Sequence, residues 1–304
     1  MSVVVRRAGA LLLLALAPLA AGQDVLLEPP HGPAEGGLPG WDSFVRGGGA
    51  SYRAAGAGGA SLDLDRYELG LGVERRVRSG VLGLTLDHQR LGYGGDWTLG
   101  GLTAPLATAD HYRLQAAWHA AEGDGLTWSL GARAEAGSDR AADPFGDPAL
   151  GATLGLELEL TDGLGLELSL DALERLEDDP RLVPLALVDA RLTDDLRLGR
   201  VAGGYGLDWD WDLETRWFVA LDRDERQFRL DEDHGGHAVV RDRETSLRAG
   251  MLWQPQPDLE LELCVGRAER RLSLHEDATA LDRLDVDETT FFGVRLAFGP
   301  GALF

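Results

Sequence analysis

Charged side chains stand at every second position of several runs in this sequence, where they could line a polar channel. If water fills the space they face, such charges tune ion selectivity. If the space is narrow, the same residues form a paired structural network, and the sequence leaves both interpretations open. The set is Glu157, Glu159, Glu167, Asp171, Glu260, Glu262, Arg113, Arg133, Arg191, Arg197, Arg216, Arg248 and Arg295.

Histidine and serine raise the question of hydrolysis. His88, His111 and His119 lie in or beside alternating runs, and Ser129 lies on a neighbouring run. A nucleophile and its base must come within hydrogen-bond reach, and no spacing here specifies such a pair. The sequence therefore predicts no enzyme and no catalytic residue, with a hydrolase kept as an alternative.

Residues 231–237 contain side chains of the types that bind metals. Asp231, His234 and His237 could offer oxygen and imidazole ligands to a divalent cation. Their spacing matches no recognised metal motif, and an acidic loop of this kind is most often simply solvated. The single cysteine, Cys264, excludes an intramolecular disulfide and a cysteine-cluster metal site, and is interpreted as a space-filling residue. We predict no metal and no cofactor.

The elements that carry these residues have a period of two. Residues 150–160 and 164–170 alternate leucine or alanine with Gly, Thr, Glu or Ser, and Thr161-Asp162-Gly163 separates the two runs. This alternation is typical of strands, and Asp-Gly between two strands indicates a hairpin turn. One face of the hairpin is hydrocarbon and the other carries the glutamates.

Similar runs recur over residues 43–298, and the connections between them sort by length. Short turns are predicted at 78–80, 120–124, 161–163, 193–195, 210–212 and 254–258, and longer polar loops at 54–63, 90–110, 137–149, 173–182, 231–238 and 275–286. Strict alternation of short and long connections is typical of a bacterial outer-membrane barrel. We predict an all-β fold, a transmembrane antiparallel up-and-down β-barrel. It has 14 strands if residues 196–200 and 203–209 span and 12 if they do not, and 14 is favoured.

The apolar portions of the longest runs fit the same interpretation. They cover about eight to ten residues, near the 9–11 that a tilted strand needs to cross a bilayer. The charged remainders adjoin long loops and would project beyond the outer surface. Trp118, Trp128 and Trp253 lie near short turns, where an interfacial aromatic girdle is expected, and the Asp208-Trp-Asp-Trp211-Asp motif is interpreted as a turn with such anchors.

The N-terminus indicates export. Two arginines precede an apolar run at residues 8–21, and small residues follow it, as in a secretory signal peptide. We predict a signal peptide at 1–22, a flexible Pro- and Gly-rich periplasmic leader at 23–42 and a barrel at 43–304. The formal net charge of −22 argues against nucleic acid as a partner, because a phosphate backbone requires clustered positive charge.

The C-terminal run resembles the terminal strand signal of outer-membrane barrels, in which a glycine, an apolar residue and an aromatic follow at fixed spacing. Gly293, Leu296 and Phe298 match it, whereas Phe291 replaces the expected polar residue and six residues follow Phe298. The chain thus resembles a family of uncharacterised, porin-like outer-membrane barrels. The resemblance implies insertion by the barrel-assembly machinery, and it names no substrate.

The function predicted is a passive outer-membrane barrel, either a porin-like channel for small solutes or ions or a structural barrel in contact with outer-membrane lipid. Two alternatives stay open. A lipid-active outer-membrane hydrolase would require a Ser or Asp within hydrogen-bond reach of a His at the outer rim. A soluble secreted β-sandwich would not fractionate with membranes.

Overall fold

The computed structural model describes residues 41–54, 62–77, 80–122, 125–139, 148–176, 178–231, 238–276 and 279–299. The signal peptide, nearly all of the predicted leader and residues 232–237 of the metal candidate lie outside these ranges. Within them no helix is long and apolar enough to cross a membrane.

The described residues form 16 strands. In chain order they are β1 (Trp41–Ala54), β2 (Asp63–Val77), β3 (Gly80–Gly94), β4 (Thr98–Leu99), β5 (Leu102–Thr103), β6 (Thr108–Glu122), β7 (Leu126–Asp139), β8 (Ala149–Thr161), β9 (Leu164–Arg175), β10 (Asp178–Arg191), β11 (Leu196–Val201), β12 (Gly204–Asp210), β13 (Thr215–Arg229), β14 (Val239–Gln256), β15 (Leu259–Glu276) and β16 (Thr279–Phe298).

Fourteen of these strands make a closed antiparallel barrel, which confirms the predicted fold and the larger strand number. Each wall strand pairs with its neighbours along the chain, and β1 pairs with β16 to close the sheet, with Val45 opposite Phe298. β4 and β5 form a separate two-stranded sheet in the β3–β6 connection. We call the end at which β1 starts and β16 finishes the periplasmic end, and the opposite end the outer end.

The outer face of the wall is an apolar belt. Leu154 on β8 and Val265 on β15 are each more than half exposed, and leucines on β2, β3, β7 and β9 share this orientation. Large exposed apolar surface is unfavourable in water, and a closed sheet is one of the two structures that satisfy every backbone group in hydrocarbon. The outer face of this barrel therefore has the apolar surface expected of a sheet that spans a membrane.

Several strands are longer than predicted, so two of the predicted long loops are wrong. β9 continues to Arg175 and β10 starts at Asp178, within the predicted loop 173–182. β15 continues to Glu276 and β16 starts at Thr279, within the predicted loop 275–286. The strands continue because their polar outward residues project beyond the bilayer, where alternation with hydrocarbon is not required.

The predicted polar loop at 90–110 is also wrong in extent and character. β3 runs to Gly94 and β6 begins at Thr108, and between them Trp97, Leu99 and Leu106 are buried. The backbone N–H of Gly100 donates to the carboxylate of Asp282 on β16, at 2.6 Å. This connection therefore lies over the outer mouth of the barrel and packs there.

β13 departs from the regular wall in its outer half. Beyond Leu221 it has no pairing with β12, and its end instead pairs in parallel with β7, with Arg229 opposite Ser138. A Cβ added at Gly137 would lie 2.0 Å from the carbonyl oxygen of Gln227, so the two backbones touch where β7 has a glycine. In the barrel order five strands, β8–β12, separate β7 from β13 on one side. The β7–β13 contact therefore narrows the outer half of the barrel.

The main apolar core lies inside the barrel, mostly in this narrowed outer half. Tyr52 on β1, Leu91 on β3, Phe228 on β13 and Leu272 on β15 belong to it, and each is at most 1% exposed. All four face the lumen, where an open pore would expose them to water. The outer half of the lumen is packed.

Candidate functional site

The charged residues singled out from the sequence line the inside of the barrel wall. The cross-strand register places Glu157 opposite Glu167, and Glu262 opposite Arg295. The exposed belt leucines occupy the intervening positions, so the charges of these strands point inward. Inside the barrel they divide into groups that differ in depth and in exposure to water.

The periplasmic half of the lumen along β8–β11 is wet. Glu157 and Glu159 are exposed at this end. Arg200 donates to Glu167 from Nε at 2.9 Å, and Arg197 donates to Asp189 from Nε at 3.0 Å with about half of its side chain exposed. Ion pairs in contact with water are weak, so this region is a polar vestibule held by loose pairs.

The opposite wall of the same half is drier. Glu262 on β15 lies 3.5 Å from Arg248 and 3.3 Å from Arg295, and Arg295 also donates to Glu68 on β2 at 2.7 Å. Glu260, two residues nearer the periplasmic end, is likewise buried. Arg216 bonds to Asp210 at 2.8 Å and lies 3.5 Å from Asp208, close to the periplasmic turns.

A third group lies at the middle of the wall. The guanidinium of Arg133 donates to Asp171 at 2.7 Å, and the hydroxyl of Thr153 donates to the other oxygen of this carboxylate at 2.6 Å. Arg113 donates to Glu135 at 2.9 Å. Arg133, Asp171 and Thr153 are all buried, so this group is a paired structural network.

The strongest network lies in the outer half. Arg270 on β15 donates to Asp242 from one guanidinium nitrogen at 2.6 Å and to Glu244 from the other. The hydroxyls of Tyr93 on β3 and Tyr52 on β1 donate to the same two carboxylates, at 2.7 and 3.0 Å. β3 and β14 are five strands apart around the wall, so the Tyr93–Asp242 bond spans the lumen. We call these five residues the cross-lumen network.

More contacts reinforce this closure. Arg226 on β13 donates to Gln89 on β3 at 2.8 Å, again across the lumen. The ring of Phe228 lies edge-on to Tyr93 and to His111, with centroids 6.5 and 6.2 Å apart. The guanidinium carbon of Arg270 lies 5.2 Å from the Tyr52 ring centroid, within cation–π range.

Sequence reasoning did not identify the cross-lumen network. It placed the charged outer ends of β14 and β15 beyond the outer surface of the membrane. A signal was present, since Asp242, Glu244 and Arg270 keep the lumen-facing parity of their strands. Parity alone does not show that the opposite wall lies within reach.

The residues of the predicted assembly signal lie on β16. Leu296 and Phe298 are exposed on the outer face, in the apolar belt. Gly293 faces inward, where an added Cβ would lie 2.9 Å from the sulfur of Cys264. Cys264 is buried and free, in a space bounded by glycines.

Two of the described histidines lie within hydrogen-bond distance of a carboxylate or a hydroxyl, in separate places, and a third, His111, lies 3.8 Å from Glu135 inside the barrel. Nε2 of His88 lies 2.8 Å from Asp110, on the outer face of β3 and β6. Nε2 of His275 lies 2.9 Å from the hydroxyl of Ser273 on β15. An activated serine needs the hydroxyl, the base and an orienting group together, and these pairs lie four strands apart in the wall. His119 and Ser129 face each other on β6 and β7, at the wet end.

Metal binding finds no support in the part of the chain that is described. No group of three or more His, Cys, Asp or Glu side chains there is placed to hold an ion. The backbone N–H of Asp231, the described member of the metal candidate, donates a hydrogen bond to the carboxylate of Asp139 at 3.1 Å. That bond fixes the end of β13 beside β7.

Closure into a barrel, an apolar belt and inward charges together define the class of protein. Bacterial outer-membrane barrels combine these properties, because hydrocarbon admits no open sheet edge. The chain has the fold and the surface pattern of an outer-membrane β-barrel.

No family model matches this chain, and no curated protein matches it. One similar solved structure is an outer membrane channel from Pseudomonas putida F1, with 15% sequence identity and a TM-score of 0.44. The match covers 89% of this chain and 100% of that chain. Others are the toluene transporter TodX of Pseudomonas putida (11%, 87% and 90%, 0.40) and the channel DcaP of Acinetobacter baumannii (12%, 86% and 96%, 0.32). At these identities and TM-scores the likeness assigns no solute to this chain.

Proposed function

We propose that the protein is a passive, porin-like channel for small solutes or ions that is closed at its outer half in the described conformation. The observation that carries the proposal is the asymmetry of the lumen. A water-accessible vestibule with inward carboxylates and arginines leads from the periplasmic end to the cross-lumen network. Charges that line a water-filled passage select and guide ions.

The closure combines the apolar core of the outer half with a small number of polar contacts to β14. Two tyrosine hydroxyls and one guanidinium connect β1, β3 and β15 to the carboxylates of β14. Hydrogen bonds of this kind contribute about 0.5–1.5 kcal/mol net, and about 1.5–3 kcal/mol when one partner is charged. Opening therefore requires these contacts to break and the side chains of the apolar core to move, while the strand pairing of the wall is kept.

A sealed structural barrel is the competing function, and it would use the same packed outer half as a permanent core. A lipid-active hydrolase is less well supported, because its candidate pairs lie apart. We further propose that outer-membrane lipid contacts the belt, and that the barrel-assembly machinery inserts the chain through β16. Residues 1–22 would direct export, with residues 23–42 mostly in the periplasm.

The test is single-channel recording of the purified protein in planar bilayers, with Tyr52→Phe/Tyr93→Phe as the opening variant. This variant removes both cross-lumen hydroxyls and keeps the ring volumes. We expect brief openings for the wild type and a several-fold higher open probability for the variant. The matched control is Tyr67→Phe, because Tyr67 lies exposed on the outer face of β2.

Folding is checked independently by the heat-dependent shift in mobility that intact barrels show in detergent. If wild type and Tyr52→Phe/Tyr93→Phe are both folded and both electrically silent, the channel proposal is wrong and the barrel is sealed. A constant large conductance of the wild type would contradict the closed outer half.

A further inference from the structure

The hairpin β11–β12 is the weakest part of the barrel wall. Its strands have six and seven residues, whereas every other wall strand has at least 12. β10 pairs with β11 only at Ala190–Leu198 and Arg191–Arg197, although β10 runs from Asp178. The outer part of β10 therefore has no described strand partner on this side.

The tip of the hairpin lies inside the lumen. Ala202 and Gly203 both have positive φ, 51° and 79°, as a two-residue hairpin turn requires. The guanidinium of Arg248 on β14 donates to the carbonyl of Ala202. Val201 packs in the main lumen core, whereas Leu187, which lies on β10, belongs to a different apolar cluster. Leu198 and Tyr205 of the hairpin pack with Leu185 and Leu187, so the hairpin lies against the lumen face of β10 and its tip reaches the main lumen core.

The unpaired edge of β10 is covered rather than open. The hydroxyl of Tyr205 on β12 donates to the carbonyl of Val188. The N–H and C=O of one residue in an antiparallel strand point to the same side, and alternate residues share that side. At position 184 a backbone N–H would point toward this edge, and Pro184 has none. Proline in a sheet is characteristic of edge strands.

We propose that β11–β12 is a movable stopper with two positions, the described one inside the lumen and one paired against β10. Continuing the observed register would place Asp189 opposite Gly199, Val188 opposite Arg200 and Leu187 opposite Val201. The backbone N–H of Arg200 would then replace the Tyr205 hydroxyl at the carbonyl of Val188. The same movement would take Ala202 away from Arg248 and complete the wall while widening the lumen.

This inference rests on the proposed channel function, because a stopper acts only where there is a passage. Its position suits that role. The tip contacts Arg248, which also contacts Glu262, so the hairpin lies between the wet vestibule and the packed outer half. The exchange replaces the bonds of Tyr205 to Val188, of Arg248 to Ala202 and of Arg200 to Glu167, together with the burial of Val201, with strand hydrogen bonds between β10 and β11.

The test traps the second position with a disulfide, Leu187→Cys/Val201→Cys in a Cys264→Ala background. Val188 points its backbone groups toward β11, so its neighbour Leu187 points its own groups toward β9. In the continued register Leu187 and Val201 would therefore be a non-hydrogen-bonded pair. Side chains come closest in such pairs, which suits a disulfide. The positive control is Ala186→Cys/Leu168→Cys, a non-hydrogen-bonded pair already opposed on β10 and β9. The negative control is Val183→Cys/Val201→Cys, which the register keeps apart.

We expect the Leu187/Val201 disulfide to form in membranes under mild oxidant, more slowly than the positive control and at least tenfold faster than the negative control. We expect its formation to raise conductance several-fold and reduction to reverse the rise. Tyr205→Phe should speed formation several-fold because it frees the edge of β10, whereas Tyr67→Phe should leave the rate unchanged.

The outcomes separate this inference from the channel proposal. A disulfide rate equal to that of the negative control, in a barrel that conducts, overturns the stopper and leaves the channel standing. Complete disulfide formation with unchanged conductance, in a conducting barrel, shows that the hairpin moves without gating and also overturns the proposal. Silence of wild type, Tyr52→Phe/Tyr93→Phe and the trapped protein overturns the channel itself.

Discussion

Arg270 in the outer half of the lumen and Arg197 in the periplasmic half both pair with carboxylates, but in different surroundings. Arg270 is 4% exposed and bonds to two carboxylates that are as deeply buried. Arg197 keeps about half of its side chain in water and shares one carboxylate, Asp189. The same residue types therefore make a rigid, high-cost network at one end and a loose, solvated lining at the other.

The largest effect is expected from Arg270→Ala. It would leave Asp242 and Glu244 buried without their shared cation, which costs about 3–5 kcal/mol when one partner of a buried pair is removed. Denaturant unfolding of the barrel in detergent measures the loss. Arg197→Ala is the matched variant and should cost about 0–1 kcal/mol. Equal losses for the two would contradict the contrast between the halves.

A charge on the lipid face should come next. Leu154→Arg on β8 introduces a cation into the apolar belt, at a cost of about 2–4 kcal/mol if it lies near the midplane. The neighbouring exposed lumen position Glu157 tests the opposite face, where Glu157→Gln should change unfolding free energy by less than about 0.5 kcal/mol. Unfolding in lipid vesicles provides the measurement, and similar losses at both positions would show that the barrel faces are assigned incorrectly.

A smaller loss is expected for Tyr93→Phe, which removes one hydroxyl from the cross-lumen network. Asp242 keeps Arg270, so the expected cost is about 1–3 kcal/mol, as for a buried acceptor that loses one donor. Tyr67→Phe serves as the control and should be neutral within about 0.5 kcal/mol. No difference between these two variants in thermal unfolding would mean that the hydroxyl of Tyr93 contributes nothing to the closure.

The smallest effect is expected when the pH is lowered, and it concerns the β3–β6 connection over the outer mouth of the barrel. Hydrogen bonds from the backbone N–H of Gly100, and then of Arg283, lower the pKa of Asp282. Because the pKa of Asp282 is lowered in the folded state, its bonds contribute their full stability at pH values above the ordinary aspartate pKa, about 3.9. This contribution is lost as the pH falls through the lowered pKa. Hydrogen exchange at Gly100 should thus show constant protection from pH 7 to 5 and a loss only below about pH 4.

Asp282→Asn should reduce this protection at pH 7, because the charged acceptor is gone. Asp285→Asn is the matched control, since Asp285 accepts from Arg271 and Arg283 and has no bond to Gly100. Identical exchange in both variants would show that Asp282 does not hold the connection in place.

The wall of the barrel is predictable from sequence because its physics is local. A period of two assigns faces, as between Leu154 and Glu157, and turn residues such as Asp162-Gly163 divide the runs. The loop predicted at residues 275–286 was wrong for a related reason. Outside the bilayer the lipid face no longer needs hydrocarbon, so the alternation that marks a strand disappears while pairing continues, as at Arg271–Asp285.

The filling of the lumen is not predictable in this way, because it depends on distances between strands remote in sequence. Nothing near Tyr93 indicates that Asp242 faces it, and nothing near Arg229 indicates its pairing with Ser138. Weak hints existed in composition. Trp97, Leu99 and Leu106 are large apolar residues in a segment interpreted as a polar loop, and such residues are usually buried against other apolar side chains.

The β7–β13 contact also has a consequence for assembly. Asp231 and Asp139, which bond beside it, are 92 residues apart, and the chain between them contributes β8–β13. Closing so long a loop costs conformational entropy, although the cost grows only slowly with length. If the contact forms early, nine strands can close around the outer core while β8–β12 are still an unpaired loop outside the hydrocarbon. The chain would then complete its wall last at β10–β11, the seam with the fewest paired residues.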